Sequence, residues 1–228
     1  MTATVSAFRT LSPTAREVDF ILPAPLNFFA GAFINIFVEK NGEKLRRAYS
    51  ISSSDVEQQK VSVAIRKMPG GAVGPLFWND DILGTTLDIM GPLGLNTVDK
   101  IVSPRVFLFG FGIGAGVIQS IALSLLEKKD IEHVHIMTGS KTDDEVIFEG
   151  VFTELAQTDP RISFTAVISN PSETSTYPAG YIQNHIDTLD FNNADIYICG
   201  QEVACSALRI VIEAKKPQDV HFFIEAFH

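Results

Sequence analysis

Arg47-Ala48-Tyr49-Ser50 places a fixed cation, a flat phenol ring and a hydroxyl on four consecutive residues that close a predicted strand. A planar guanidinium suits a diphosphate, and a phenol suits stacking on a flat heterocycle. In an extended segment Arg47 and Tyr49 point one way and Ser50 the other. Arg, Tyr and Ser also build ordinary barrel strands, so this tetrapeptide gains its weight from motifs further along the chain.

Two of these are glycine-rich loops. Gly110-Phe-Gly-Ile-Gly-Ala-Gly116 joins a compact apolar strand to a helix, where glycines let the backbone approach a pyrophosphate and the helix start offers free N–H groups. The next strand ends Met137-Thr-Gly-Ser-Lys141, without the acidic tip that reads ribose hydroxyls in the familiar dinucleotide fingerprint. The turn is therefore either a phosphate cradle of a different pattern or a tight packing turn. Met68-Pro-Gly-Gly-Ala-Val-Gly-Pro75 is a second loop able to present backbone donors, and equally an ordinary hairpin loop.

Near the C-terminus, Cys199-Gly200 closes a predicted parallel strand, at the edge where open α/β sheets bind ligands. A buried cysteine filling space is the commoner alternative, and Cys205 in the following helix fits that alternative. Glu225-Ala-Phe227 ends an apolar tail, His221 to Phe227, that is expected to dock rather than fray. His133 and His135 share a strand face without a third partner, and no histidine or cysteine spacing suits a metal.

The elements that must position these residues fall into two groups. Runs such as Thr4–Phe8, Glu17–Ile21, Phe33–Glu39, Val61–Arg66 and Thr86–Ile89 are broken by Pro, Gly, Asn and Asp, which predicts a sandwich or small barrel. One short helix is expected over Gly74–Asp80. Asn96 to Pro104 is a polar stretch expected to serve as the linker. Beyond it strands alternate with helices, around Val117–Lys129, Val151–Gln157, Tyr181–Thr188 and Glu202–Ala214, with a last short strand at Phe222–Phe223. That alternation predicts a parallel sheet covered on both faces. Asn170–Pro178 is expected to be a mobile surface loop.

The net charge of −9 over 228 residues, without a basic cluster, argues against nucleic acid. Two cysteines cannot build a disulfide framework, and a reducing cytoplasm is the simpler setting. The N-terminus shows no signal-peptide pattern. Val106 to Leu126 carries no charge and is long enough to span a bilayer. Its glycines favour strand, turn and helix instead, so no membrane span is expected.

Taken in order, these motifs resemble the ferredoxin-NADP reductase superfamily, over nearly the whole chain. Gly31-Ala-Phe33 is similar to the turn before its flavin motif, and Arg47-Ala-Tyr-Ser50 with Ile51-Ser-Ser53 to its flavin strand. Arg66 to Gly71 and Gly91-Pro-Leu-Gly94 fall where the family places its diphosphate loop and the end of its barrel. Gly112-Ile-Gly-Ala-Gly116, Cys199-Gly200 and Glu225-Ala-Phe227 resemble its nicotinamide loop, its Cys-Gly pair and its terminus.

The resemblance implies a two-domain α+β chain: an antiparallel β-barrel flavin domain over residues 1–98, then an α/β parallel-sheet nicotinamide-nucleotide domain over residues 103–228. It implies FAD, or FMN or free flavin, bound by Arg47, Ala48, Tyr49, Ser50, Ile65 and the loop residues Gly70, Gly71, Ala72, Val73 and Gly74. Tyr49 would stack on the ring system, Arg47 hold the diphosphate and Ser50 lie near flavin N5. NADH or NADPH would meet Gly112, Ile113, Gly114, Ala115, Gly116, Ser140, Lys141, Cys199 and Gly200. Ser50, Cys199 and Glu225 are the implied catalytic residues, and Phe227 would cover the flavin until nicotinamide displaces it.

Departures from the family pattern stand at Gly74, where a Ser or Thr is usual, at Ile113-Gly114-Ala-Gly-Val117, which lacks Thr and Pro, and at Ser169-Asn170, where NADP-specific members carry Ser-Arg. The implied function is an FAD-dependent NAD(P)H oxidoreductase feeding a separate acceptor, a ferredoxin-like protein or an oxygenase component, since no Cys-x4-Cys-x2-Cys spacing is present. The alternatives are a free-flavin reductase and a non-catalytic flavin or nucleotide sensor or electron-transfer subunit.

Overall fold

Alternating apolar residues in the first half form six antiparallel strands: β1 (Thr2–Thr10), β2 (Ala15–Ile21), β3 (Phe33–Lys40), β4 (Glu43–Ser50), β5 (Lys60–Arg66) and β6 (Thr86–Leu93). The computed structural model describes every residue except Asn41, Pro69, Ala72 and His228. The strands lie in the order β4-β3-β6-β1-β2-β5. Just past β4, Ile51 bridges Val63 of β5, so the sheet curls back on itself as a barrel. Its interior is filled by Val18, Phe20, Ile34, Ile36, Val63, Ile65 and Ile89. A 3-10 turn over Gly74–Trp78 adds Phe77, whose ring meets Phe20 edge-on at 6.3 Å.

The second half is a parallel sheet of β7 (Arg105–Phe111), β8 (His133–Ser140), β9 (Ile162–Ile168), β10 (Ala194–Gln201) and β11 (Val220–Phe227), ordered β11-β10-β7-β8-β9. Helices α1 (Ala115–Leu125), α2 (Glu149–Thr158) and α3 (Glu202–Ala214) cover it. The uncharged stretch in the sequence finds its explanation in α1, which is buried almost all round between the sheet and the barrel. Val117, Ile118 and Ile121 share one core with Ala15 and Ala30 of the barrel domain. The polar side of α1 is spent on the barrel too: Gln119 and Ser120 donate to the carbonyls of Ser52 and Ser53 at 3.0 and 2.6 Å. Among the described residues no helix is long and apolar enough to cross a membrane.

Four expectations change. The helix expected over Tyr181–Thr188 is a single 3-10 turn, Ile182–His185. Only Ile182 and Ile186 anchor it, and the Asn184 side chain takes the Tyr181 N–H at 3.0 Å, which favours a tight turn over propagation. The last strand runs the full Val220–Phe227 because β10 pairs with it in register from Ala194↔Val220 to Gln201↔Phe227. The expected linker is a packed strap, with Thr97, Val98, Ile101 and Ser103 buried. The loop Asn170–Pro178 is tied down: Asp143 accepts the Ser172 N–H at 2.8 Å, and Glu149 accepts the Tyr177 hydroxyl.

Candidate active site at the domain junction

From β7 the chain moves outward to β8 and β9, then returns to the other side of β7 to lay down β10 and β11. The gap between the ends of β7 and β10 is therefore the switch point where open α/β sheets take ligands. Gly110 of β7 and Cys199 of β10 stand opposite each other there. The glycine turn bends over them. Gly112 has φ of 52°, a left-handed conformation that suits glycine. A Cβ on Gly114 would lie 2.3 Å from the Cys199 carbonyl oxygen, so only glycine lets α1 start this close to β10. No side chain caps α1; the 3-10 turn Gly112–Gly114 runs straight into it and the Gly112 carbonyl takes the Ala115 N–H, so the glycine turn, not α1 itself, forms the open end of this helix start.

Cys199 is fully buried, and its partner in β11 is Glu225. Burial pushes the Cys199 thiol well above its usual range, and the Glu225 charge adds to this, so the sulfur is a neutral thiol. Glu225 is itself raised by burial, and its bond to Ser50 pulls it part of the way back. Ser50 Oγ donates directly to Glu225 Oε1, joining barrel to sheet. Gly200 is buried behind Phe111, and Phe227 ends β11 half-buried against the α1-side core.

On β4, Arg47 is exposed, donates to the Arg46 carbonyl at 2.7 Å and meets no carboxylate among the described residues. Tyr49 is half-buried, its ring edge-on to Phe77 at 6.2 Å, and burial pushes its hydroxyl up to about 12 despite the nearby Arg47. Ala48 is exposed. Gly70 is exposed and Gly71 donates to the Met68 carbonyl at 3.0 Å, forming the turn before Gly74. An uncompensated guanidinium, a phenol face, a hydroxyl and a glycine turn on neighbouring elements are the donor set that a flavin dinucleotide needs, and they fit it.

Several expected contacts are relocated. Ile65 points into the barrel core and its main chain is in the β2 ladder, so its side chain is not a ligand. Val73 is likewise a core residue. Ala72 lies outside the described residues. Ala115 and Gly116 are buried, and Gly116 presses on Ala64 of the barrel, so these two pack; Ile113 packs half-buried against the same core, and Gly112 is half-buried beside the Arg66 guanidinium. Ser140 spends its hydroxyl on the Glu145 carbonyl at 3.1 Å, which leaves Lys141 as the exposed cation at the end of β8. Among the described residues no His, Cys, Asp and Glu group could hold a metal ion.

Comparison with known proteins decides the lineage. Residues 2–97 match the oxidoreductase FAD-binding domain family, and residues 108–208 match the oxidoreductase NAD-binding domain family. The chain belongs to the ferredoxin-NADP reductase superfamily. Among superfamily relatives, the toluate 1,2-dioxygenase electron transfer component of Pseudomonas putida is 29% identical over 99% of this chain and 67% of its own length. Ferredoxin–NADP reductase B of Sorangium cellulosum is 28% identical over 91% of this chain and 88% of its own length. A cytochrome P450 reductase from Amycolatopsis superposes with a TM-score of 0.85 at 24% identity, over 99% of this chain and 70% of that one, which bears on the fold alone.

The two matched domains are those of an NAD(P)H-dependent flavoprotein oxidoreductase, with FAD and NAD(P)H as cofactors. The chain spans about two thirds of the toluate component, so its relatives' partners are not assigned to it by likeness alone. Sequence reasoning missed Glu145 and Asn96. Glu145 accepts from Ser12 and Thr14 of the barrel, and Asn96 donates to the Ile224 carbonyl at 2.8 Å. Both are tertiary contacts between distant segments, without a local pattern to announce them.

Proposed function

We propose that the chain accepts hydride from NADH or NADPH at the junction of its domains and passes electrons to a separate protein, a ferredoxin-like carrier or an oxygenase component. When bound, the flavin supplies the conversion of a two-electron donor into single electrons. The protein's own part is positional. Arg47 holds a diphosphate, Tyr49 offers a ring face, and the turn at Gly112 with the start of α1 holds the donor's phosphates. Ser50 fixes Glu225, and the neutral Cys199 thiol beside it keeps charge away from the point of transfer. Cys199 has no exposed surface, so direct contact with the donor requires neighbouring side chains to shift, and Phe227 is the one proposed to move.

The observation that carries this reading is the Ser50–Glu225 bond, which sets the barrel's hydroxyl against the sheet's switch point beside Cys199. Electron transfer is supported by the name of the toluate relative. NADH is the proposed donor, since Asn170 stands where NADP-specific relatives carry Arg. The proposed domains are residues 1–98 and 103–228, and the proposed setting is cytoplasmic, in keeping with two buried free thiols. Anaerobic titration of the yellow protein with NADH, then NADPH, tests the reading: bleaching by either supports it, and no bleaching by both favours a sensor. Gly74, which lacks the usual hydroxyl, favours one second reading, a free-flavin reductase; FAD that stays bound through purification removes it.

A further inference from the structure

Further along α1 from the glycine turn, the helix and the outer face of the barrel leave a cleft between them. Gly116 presses on Ala64 of β5, and one turn later Gln119 donates to the Ser52 carbonyl at 3.0 Å. The cleft holds about 350 Å³, with β1, β2 and β5 on one side and Gln119 and Leu123 on the other. Glu17 and Asp19 stand two residues apart on one face of β2. Glu17 accepts from Ser52 at 2.7 Å and from Arg9 at 2.5 Å, and Asp19 from Ser62 at 2.6 Å and from Lys60 at 2.8 Å. Two cations thus balance two carboxylates, and the lining carries no net charge. The carboxylates keep spare lone pairs, and the Arg9 and Lys60 side chains, 60% and 44% exposed, keep spare N–H groups toward the mouth. Gln119 is 5% exposed, and its Oε1 is buried without a hydrogen-bond partner among the described residues. A buried acceptor left unpaired is destabilising, and a donor arriving in the cleft would relieve it.

We propose that this cleft binds a small zwitterion of the amino-acid class, one with an apolar side chain. Gln119 offers its unpaired oxygen to the ammonium, and Glu17 and Asp19 add their spare lone pairs. The carboxylate meets Arg9 and Lys60 at the mouth, and the side chain lies against Phe8 and Leu123. A ligand with net charge would upset the balance of the lining, whereas a zwitterion repeats it. Both domains supply walls, so an occupant adds contacts across the junction that also carries Ser50 and Glu225. The cleft is separate from the glycine turn and does not depend on the nucleotide reading.

The test uses the full, FAD-loaded chain, titrated by calorimetry with L-leucine, with isocaproate, which lacks the ammonium, and with isopentylamine, which lacks the carboxylate. L-leucine is expected to bind about tenfold or more tightly than either half, since each half forgoes charge-assisted hydrogen bonds. It should also raise the melting temperature as its concentration rises. Lys60→Met removes an exposed cation and leaves Asp19 bonded to Ser62. It should weaken L-leucine and isocaproate several-fold, without weakening isopentylamine or NADH. Gln119→Leu should weaken L-leucine and isopentylamine and spare isocaproate; if it does not fold, Lys60→Met carries the test. A half that binds as well as L-leucine overturns the zwitterion class, and so does glycerol binding in its place. L-leucine that binds wild type and variants alike sits elsewhere, and no binding of L-leucine overturns the site.

Discussion

Ser50, at the end of β4, and Glu225, near the end of β11, are hydrogen-bonded to each other although 175 residues separate them in the chain. The bond joins the two domains at the site itself. Burial is the larger influence on Glu225, so the folded carboxyl gives up its proton at higher pH than the unfolded one. Its contribution to stability is therefore complete below the ordinary carboxylate pKa and is lost as pH rises through the raised folded value. Glu225→Gln removes that loss. Thermal scans should show variant and wild type closest at acid pH, with the variant gaining as pH approaches neutrality. A wild-type protein that gains on the variant over the same interval would show that the ionised carboxylate is the better-held form.

The flavin side is tested at Tyr49 and Arg47. Tyr49→Leu keeps an apolar group against Phe77 and removes the stacking face, which is worth roughly 0.5–1.5 kcal/mol, so FAD should bind about two- to tenfold more weakly. Arg47→Ala removes a charged donor worth roughly 1.5–3 kcal/mol and should weaken FAD at least about tenfold. Tyr49→Phe should be close to neutral. Fluorescence of released flavin measures all three, and equal affinity in Arg47→Ala would place the diphosphate elsewhere.

Cys199 is buried and its thiol is held neutral, so it is not a nucleophile. Native protein should resist iodoacetamide at Cys199 and at Cys205, whose thiol burial pushes up to about 11, and both should react on unfolding. Cys199→Ala leaves a small void costing about 1 kcal/mol. If the thiol lies against the donor, the same variant should slow flavin reduction about tenfold or more in stopped flow. A normal rate would make Cys199 a packing residue.

The order of motifs made the two-domain architecture legible, because period-two runs broken by turn residues and strand–helix alternation are local signals. The strand that ends in Arg47–Ser50, the glycine turn before α1 and the position of Cys199-Gly200 near the end of β10 were legible as structure for the same reason. What escaped was set by tertiary fit. Ile65 and Val73 look like loop or strand ligands in sequence, yet the barrel's curvature turns both into its core. Ser140 looks free in sequence, yet the Glu145 carbonyl takes its hydroxyl. Asn96 to Pro104 looks like a loose linker because its distant partners are invisible locally: Asn96 reaches the Ile224 carbonyl, and Val102 and Ser103 reach one buried carboxylate nearly a hundred residues away.

That carboxylate, Asp195, offers the sharpest test of how the domains are held together. It is 1% exposed on β10 and accepts from the Val102 N–H at 2.6 Å, the Ser103 N–H and hydroxyl at 2.9 Å each, and His221 at 2.8 Å. Asp195→Ala would strand the buried Ser103 N–H and hydroxyl and take the partner of the Val102 N–H where the strap meets the sheet, and each buried unpaired donor costs about 1–3 kcal/mol. The loss should therefore be about 3 kcal/mol, or roughly a 6–12 °C fall in melting temperature for a chain of this size. Asp195→Asn keeps an acceptor oxygen and should lose less. Because Asp195 lies at the opposite end of β10 from Cys199, NADH affinity in protein kept below its melting point should hardly change. A loss under about 1 kcal/mol in Asp195→Ala would mean that packing at Val98 and Ile101, not this carboxylate, fixes the strap.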